Sequence, residues 1–123
     1  MTRVLAVDDD PLVLRVERAA LTRAGFEVSS ASCTAEAREA LAREAPAIVL
    51  VDLHLGAESG LAFLEALRHE GFSGRLVAIS GDALEREAED AGADAFLPKP
   101  FSPSDLVACV RRLTAPAPSG EGL

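Results

Sequence analysis

A chain of 123 residues has room for one domain, and with 49% of its residues hydrophobic it can bury a core without a disulfide or a structural metal. Its formal net charge of −8 argues against a nucleic-acid-binding surface, which needs clustered Lys and Arg, and against docking on anionic lipid. With five Phe, no Trp and no Tyr, the core must come from Val, Leu, Ile and Ala, a composition suited to a buried parallel sheet.

Cys33 and Cys109 are far apart, show no metal-ligand spacing and read as reduced thiols. The opening Met-Thr-Arg-Val-Leu-Ala-Val runs straight into an apolar strand pattern and reads as no signal peptide, and no apolar stretch approaches the ~20 residues that span a bilayer. The expected setting is cytoplasmic.

Residues 4–7 are the first apolar run, closed by Asp8-Asp9-Asp10-Pro11, with proline suited to a helix start. Val13, Val16, Ala20 and Ala24 recur at helical spacing, and Gly25 ends that helix. A weaker strand is expected over 26–30, then a helix over 35–44 with Ser32 or Thr34 as its N-cap. Residues 48–51 form the strongest strand signal and lead into Asp52. A loop at 56–60 precedes a third helix marked by Leu61, Phe63, Leu64 and Leu67. A fourth strand at 76–79 ends in Ser80-Gly81, and a short acidic helix at 84–91 stops at Gly92. A brief strand at 95–97 meets Pro98-Lys99-Pro100. Ser102, Pro103 and Asp105 start the last helix, whose apolar face is Leu106, Val110 and Leu113. Residues 1–114 read as the domain, and the Pro/Gly/Ser-rich stretch 115–123 as a flexible tail.

Strands alternating with helices specify βα units and a parallel sheet, with right-handed crossovers placing helices on both faces. The expected fold is α/β, a doubly wound five-stranded parallel sheet with five helices. In such sheets ligands bind beyond the carboxyl ends of the strands. The polar residues there are Asp8 and Asp9, then Asp52, Ser80 and Lys99. Three carboxylates brought together repel one another unless a hard divalent cation such as Mg²⁺ sits among them. A lysine offsets further negative charge, and the Ser80 hydroxyl can donate to an anionic oxygen. Metal, ammonium and hydroxyl around one carboxylate make a cradle for a transferred phosphoryl group. Taken singly these signals are weak: an Asp run is ordinarily a solvated turn or cap, and a Lys between prolines a loop. The signal lies in their all falling at the correct ends of the correct strands.

Four motifs, Val-Leu-Ala-Val-Asp-Asp-Asp-Pro at 4–11, Val-Leu-Val-Asp-Leu at 49–53 with Gly60 downstream, Ala-Ile-Ser-Gly at 78–81 and Ala-Gly-Ala-Asp-Ala-Phe-Leu-Pro-Lys-Pro-Phe at 91–101, resemble the receiver domain of two-component response regulators. The resemblance runs from residue 3 to about residue 113 and implies the CheY-like, flavodoxin-like three-layer sandwich. It implies that Asp52 is the phosphoacceptor, Asp9 a direct metal ligand, Asp8 an acid that holds metal-bound water, and the backbone carbonyl of His54 the third protein ligand. It further implies that Lys99 binds phosphoryl oxygens, that Ser80 is the switch hydroxyl, and that Phe96 is the aromatic whose rotamer follows it. Mg²⁺ is the implied cofactor, with Mn²⁺ able to substitute, and Lys99–Pro100 the implied cis bond. The implied donor is a sensor histidine kinase or phosphotransfer protein. The output would pass to an unidentified protein, with no nucleic acid or membrane partner, from a monomer or weak dimer. Such a domain is not an enzyme in the ordinary sense: it catalyses only its own phosphorylation and dephosphorylation.

His54 and Asp82, two residues beyond Asp52 and Ser80, are placed to flank the path of attacking water and set the decay rate; the plainer reading is two solvated loop residues. Leu55-Gly56 stands where the family usually has Met-Pro, which loosens that turn. Phe96 replaces the commoner Tyr. The stretch from Ser80 to Lys99 is about three residues short of the usual length, close to one helical turn, so a truncated fourth helix or leading loop is expected. Two other classes fit less well: a receiver-like interaction module that is never phosphorylated, and a small Mg²⁺-dependent aspartyl phosphatase, for which there are too few residues to build a cap.

Overall fold

The central strand of the protein, Ile48–Asp52 (β3), is buried at every residue, as a Val/Ile/Leu run must be when helices cover both faces of a sheet. The computed structural model describes residues 1–115, so all but the first residue of the expected tail at 115–123 lies outside the described residues. In chain order the elements are β1 (Arg3–Val7), α1 (Pro11–Arg23), β2 (Glu27–Ala31), α2 (Thr34–Glu44), β3, a short hairpin β4 (His54–Leu55) and β5 (Glu58–Ser59), α3 (Gly60–His69), β6 (Arg75–Ser80), α4 (Glu85–Asp90), β7 (Ala95–Pro98) and α5 (Pro103–Thr114). The main sheet has the order β2-β1-β3-β6-β7, and its pairings are all parallel. This is the doubly wound five-stranded sheet that the sequence pattern predicts.

Strand alternation sorts the core into two layers. Leu5, Val7, Val49, Val51, Leu76 and Ala78 face a cluster completed by Ala37 and Ala40 of α2, Phe63, Leu64 and Leu67 of α3, and Ala88 of α4. Val4, Ala6, Ile48, Leu50, Val77 and Ile79 face Leu21 of α1 and Leu106 and Val110 of α5. Among the described residues no helix is long and apolar enough to cross a membrane.

The structure corrects the sequence reading in three places. Helix α1 buries Glu17 and Leu21, while Val16 is 51% exposed, so the helix is turned away from the Val13/Val16/Ala20/Ala24 spacing. The reason is bulk: Leu21 is fully buried and Leu14, seven residues before it on the same face, packs against the same cluster, so the larger side chains set which face turns inward. The N-cap of α2 is Cys33, not Ser32 or Thr34, because Ser32 spends its N–H and hydroxyl on Glu36. The expected loop after Asp52 contains the β4–β5 hairpin, in which His54 pairs with Ser59 and Leu55 with Glu58. Its two-residue connection has Gly56 at φ 61°, the first central position of a type II′ turn and a conformation closed to proline, whose ring holds φ near −65°. The departure from Met-Pro is therefore a different turn.

Helix α4 has only six residues, consistent with the expected truncation, and Lys99–Pro100 is cis. Ser102 and Asp105 form a reciprocal capping box at the start of α5.

Candidate functional site

Parallel strands align their carboxyl ends, and this register gathers the site. Asp52 ends β3 beside Ile79, and Ser80 ends β6 beside Pro98. Asp8 follows β1, and its N–H donates to the Ala31 carbonyl, extending the β1–β2 ladder by one rung. Lys99 follows β7, and its N–H donates to the Ser80 carbonyl at 2.9 Å.

The phosphoacceptor candidate Asp52 is 4% exposed. Its Oδ1 accepts the His54 N–H at 2.8 Å, and its Oδ2 meets Lys99 Nζ at 2.5 Å. Asp8 is equally buried: Oδ1 accepts the Asp10 N–H at 2.9 Å, but Oδ2 has no hydrogen-bond partner and stands 3.7 Å from Lys99 Nζ. Burial pushes the Asp8 carboxyl up to about 6, and the nearby Asp52 adds to this while the Asp10 N–H and Lys99 oppose it. Burial by itself lowers the Lys99 pKa, but its hydrogen bond to Asp52 and the charges of Asp52 and Asp8 outweigh that and hold the ammonium above its ordinary value.

Asp9 is exposed and reaches over the turn after β4: a Cβ on Gly56 would lie 3.4 Å from its Oδ2. Gly60 answers a tighter demand, since a Cβ there would fall 2.1 Å from the Asp52 carbonyl oxygen. Only glycine lets α3 start against the backbone of the phosphoacceptor candidate. The Ser80 hydroxyl, 1% exposed, accepts the Asp82 N–H at 3.0 Å. Asp82 in turn meets His54 Nε2 at 2.8 Å over the mouth of the site. Phe96 is half-buried beside Ala78, packed on the cluster below α3 and α4.

The sequence reading missed Glu17 and Glu58. Glu17 is 1% exposed on the inner face of α1, and its Oε2 has no partner. Burial, and then the charge of Asp8, push its carboxyl up to about 8 against the pull of Lys99. Glu17 and Lys99 line one cavity of about 480 Å³ with Leu12, Val16, Pro100 and Phe101. Its signal in the sequence is an acid three residues after Leu14 and four before Leu21, inside the stripe those residues bury. Glu58 ties the hairpin to α2 through Thr34.

The donor set suits a hard cation: oxygen atoms alone, one of them the orphaned Oδ2 of buried Asp8. In this arrangement the Lys99 ammonium neutralises Asp8 and Asp52, and among the described residues no three acidic, His or Cys side chains converge on a single point.

Known proteins share both sequence and fold with this chain. The model of the response regulator receiver domain matches residues 4–111. The transcriptional regulatory protein KdpE of Mycobacterium tuberculosis is 39% identical over 124 residues, covering 95% of this chain and 54% of that protein. The chain thus spans about half the length of the curated relatives it matches. The chemotaxis protein CheY4 of Vibrio cholerae superposes with a TM-score of 0.86 at 25% identity, covering 92% of this chain and 98% of that one. A Burkholderia pseudomallei response regulator, solved with a phosphorylated aspartic acid and a calcium ion, superposes with a TM-score of 0.81 at 27% identity over 94% of this chain and 68% of that one. The match along nearly the whole described chain, joined to the carboxylates, hydroxyl and lysine at the strand ends, establishes that the chain belongs to the response regulator receiver domain family.

Proposed function

We propose that the chain takes a phosphoryl group onto Asp52 from a phosphohistidine of a sensor histidine kinase or phosphotransfer protein. The observation that carries this is the setting of Asp52: a buried carboxylate at the end of β3, with Lys99 Nζ at 2.5 Å and the orphaned Oδ2 of Asp8 across the same ammonium. A carboxylate oxygen of Asp52 forms the new P–O bond as the donor's P–N bond breaks, and the imidazole nitrogen leaves with the electron pair. Lys99 follows the transferred phosphoryl oxygens and neutralises them. Asp9, Asp52 and the His54 carbonyl would hold Mg²⁺ or Mn²⁺, with Asp8 holding metal-bound water; the ion, when bound, supplies charge neutralisation at the phosphoryl oxygens.

The acyl phosphate is the signal, and Ser80 and Phe96 are the residues we assign to its readout. The domain is a phosphoacceptor consumed stoichiometrically. Its net charge of −8 supports protein rather than nucleic-acid partners for the domain itself, and free Cys33 and Cys109 suit the reducing cytoplasm. The shortened α4 supports a monomer or weak dimer by shrinking one face available to partners.

The test is mass spectrometry after incubation with Mg²⁺ and acetyl phosphate. One labile phosphoryl adduct is expected on Asp52, and none on Asp52→Asn. An adduct mapped to another residue overturns the assignment. No adduct in the parent favours an interaction module that is never phosphorylated, and continuous turnover of a free phosphate ester would mark a phosphatase.

A further inference from the structure

The turn after the phosphoacceptor strand is built from Gly56 and Ala57, and a glycine turn sets a direction without much stiffness. Glu58 restrains the hairpin from the side. Its carboxylate accepts the Thr34 N–H at 2.9 Å and the Thr34 hydroxyl at 2.6 Å, so both of its oxygens are used on one residue. Thr34 is the first residue of α2, and Cys33 before it gives that helix no side-chain cap. Glu58 therefore satisfies, from 24 residues away, one of the N–H groups that the first turn of α2 leaves without an intrahelical partner. Its charge also lies at the positive end of the α2 dipole. Across the hairpin, Glu58 pairs with Leu55 and Ser59 pairs with His54. Ser59 caps α3 through the Ala62 N–H. The strand paired with the His54 segment is thus held at both of its residues, to α2 by Glu58 and to α3 by Ser59.

We propose that Glu58 is a positioning residue for the cation site: by docking the β4–β5 hairpin on the first turn of α2, it fixes the His54 backbone carbonyl. This rests on the reading of that carbonyl as a metal ligand. Glu58 touches no reacting atom and acts only through the backbone that it holds. Outer residues that orient metal ligands are worth about 10- to 100-fold in affinity. Coupling of this kind is reciprocal, so cation binding must tighten the Thr34–Glu58 contact by the factor that the contact contributes to binding.

The test is titration of the unphosphorylated full chain with Mg²⁺ alone, followed by the His54 and Asp9 amide resonances, together with hydrogen exchange at the Thr34 amide. Glu58→Gln should weaken Mg²⁺ binding about tenfold. Thr34→Val, which keeps the N–H bond and removes the hydroxyl bond, should weaken it less. In the parent, Mg²⁺ should slow exchange at Thr34, and this protection should vanish in Glu58→Gln. Glu36→Gln is the control: it disturbs the same helix end through Ser32 but has no link to the hairpin, and it should bind Mg²⁺ like the parent. Unchanged affinity in Glu58→Gln overturns the proposal, as does an equal loss in Glu36→Gln, which would mark helix stability as the cause. A parent in which Mg²⁺ moves neither His54 nor Asp9 overturns the metal assignment itself, and this inference with it.

Discussion

The ammonium of Lys99 stands 2.5 Å from Oδ2 of Asp52, so the proposed phosphoacceptor carboxylate is paired with a cation in the absence of any phosphoryl group. The same ammonium is 3.7 Å from Asp8 Oδ2. Lys99→Met should leave two buried carboxylates facing one another. Breaking a buried pair from one side costs about 3–5 kcal/mol, and here less, because a third of the Lys99 side chain reaches water. The variant should melt earlier at neutral pH and recover part of the loss on adding Mg²⁺, while its loading by acetyl phosphate falls. Thermal melts with and without Mg²⁺ check this; a variant as stable as the parent would mean that the ammonium carries little of the neutralisation.

Glu17 gives the unliganded domain a second electrostatic signature. Its carboxyl is pushed up to about 8 from 4.5, chiefly by burial. The folded state therefore binds this proton more tightly than the unfolded chain does. The stabilisation is full below pH 4.5 and is lost as pH rises through about 8. Asp8 adds a similar loss between 3.8 and about 6. Stability should thus fall across this whole range, and Glu17→Gln should flatten the part above pH 6. Melting temperatures measured across that range decide it, and an unchanged slope in the variant would show that Glu17 does not hold its proton.

The convergence of the candidate site residues was legible in the sequence because strand ends are easy to locate. The apolar runs that lead into Asp8, Asp52, Ser80 and Lys99 fix where each side chain emerges, and the parallel sheet then brings them together. What escaped the sequence depends on long-range choices. Glu17 reads as a surface acid until Leu14 and Leu21 decide which face of α1 is buried. Glu58 reads as a loop acid until a hairpin turns it toward Thr34. The N-cap of α2 was misread because local rules favour Ser and Thr, whereas here Cys33 holds that position without a side-chain cap and the Thr34 N–H finds its acceptor on another segment.

Ala45 closes α2 in the left-handed region, at φ 48°, where L side chains pay and glycine does not. Ala45→Gly should stabilise the domain by about 0.5–1 kcal/mol, the relief of strain exceeding the extra entropy of the unfolded chain. Urea unfolding should show a higher midpoint with an unchanged slope. A lower midpoint would place the Ala45 side chain among useful packing contacts.

His54 Nε2 and Asp82 Oδ2 meet at 2.8 Å above the site, with both side chains more than half exposed. An exposed pair adds little stability, so its value lies in what it covers. If it shields the acyl phosphate from attacking water, replacing both residues with Ala should shorten the lifetime of the phosphorylated form at equal folding stability. Phosphate release followed after removing excess donor measures this. An unchanged lifetime would make the pair two solvated loop residues.

In the resting domain the Ser80 hydroxyl accepts the Asp82 N–H at 3.0 Å. Turning toward a phosphoryl oxygen on Asp52 gives up that bond, worth about 1 kcal/mol, for a charge-assisted one worth about 1.5–3 kcal/mol, so the phosphoryl group favours the turned state. The movement should open space beneath Ser80, and Phe96, half-buried on β7 one strand away, should turn inward to fill it. Phe lacks a hydroxyl to anchor it outside, so the inward state should already be partly populated before phosphorylation, and the gain on phosphorylation is correspondingly modest. Structures with and without beryllofluoride should show both side chains in changed rotamers, and Phe96→Ala should keep Asp52 loading while losing the remote change around α4. If Ser80 and Phe96 keep the same rotamers in both structures, the coupling is wrong even with Asp52 as the phosphoacceptor.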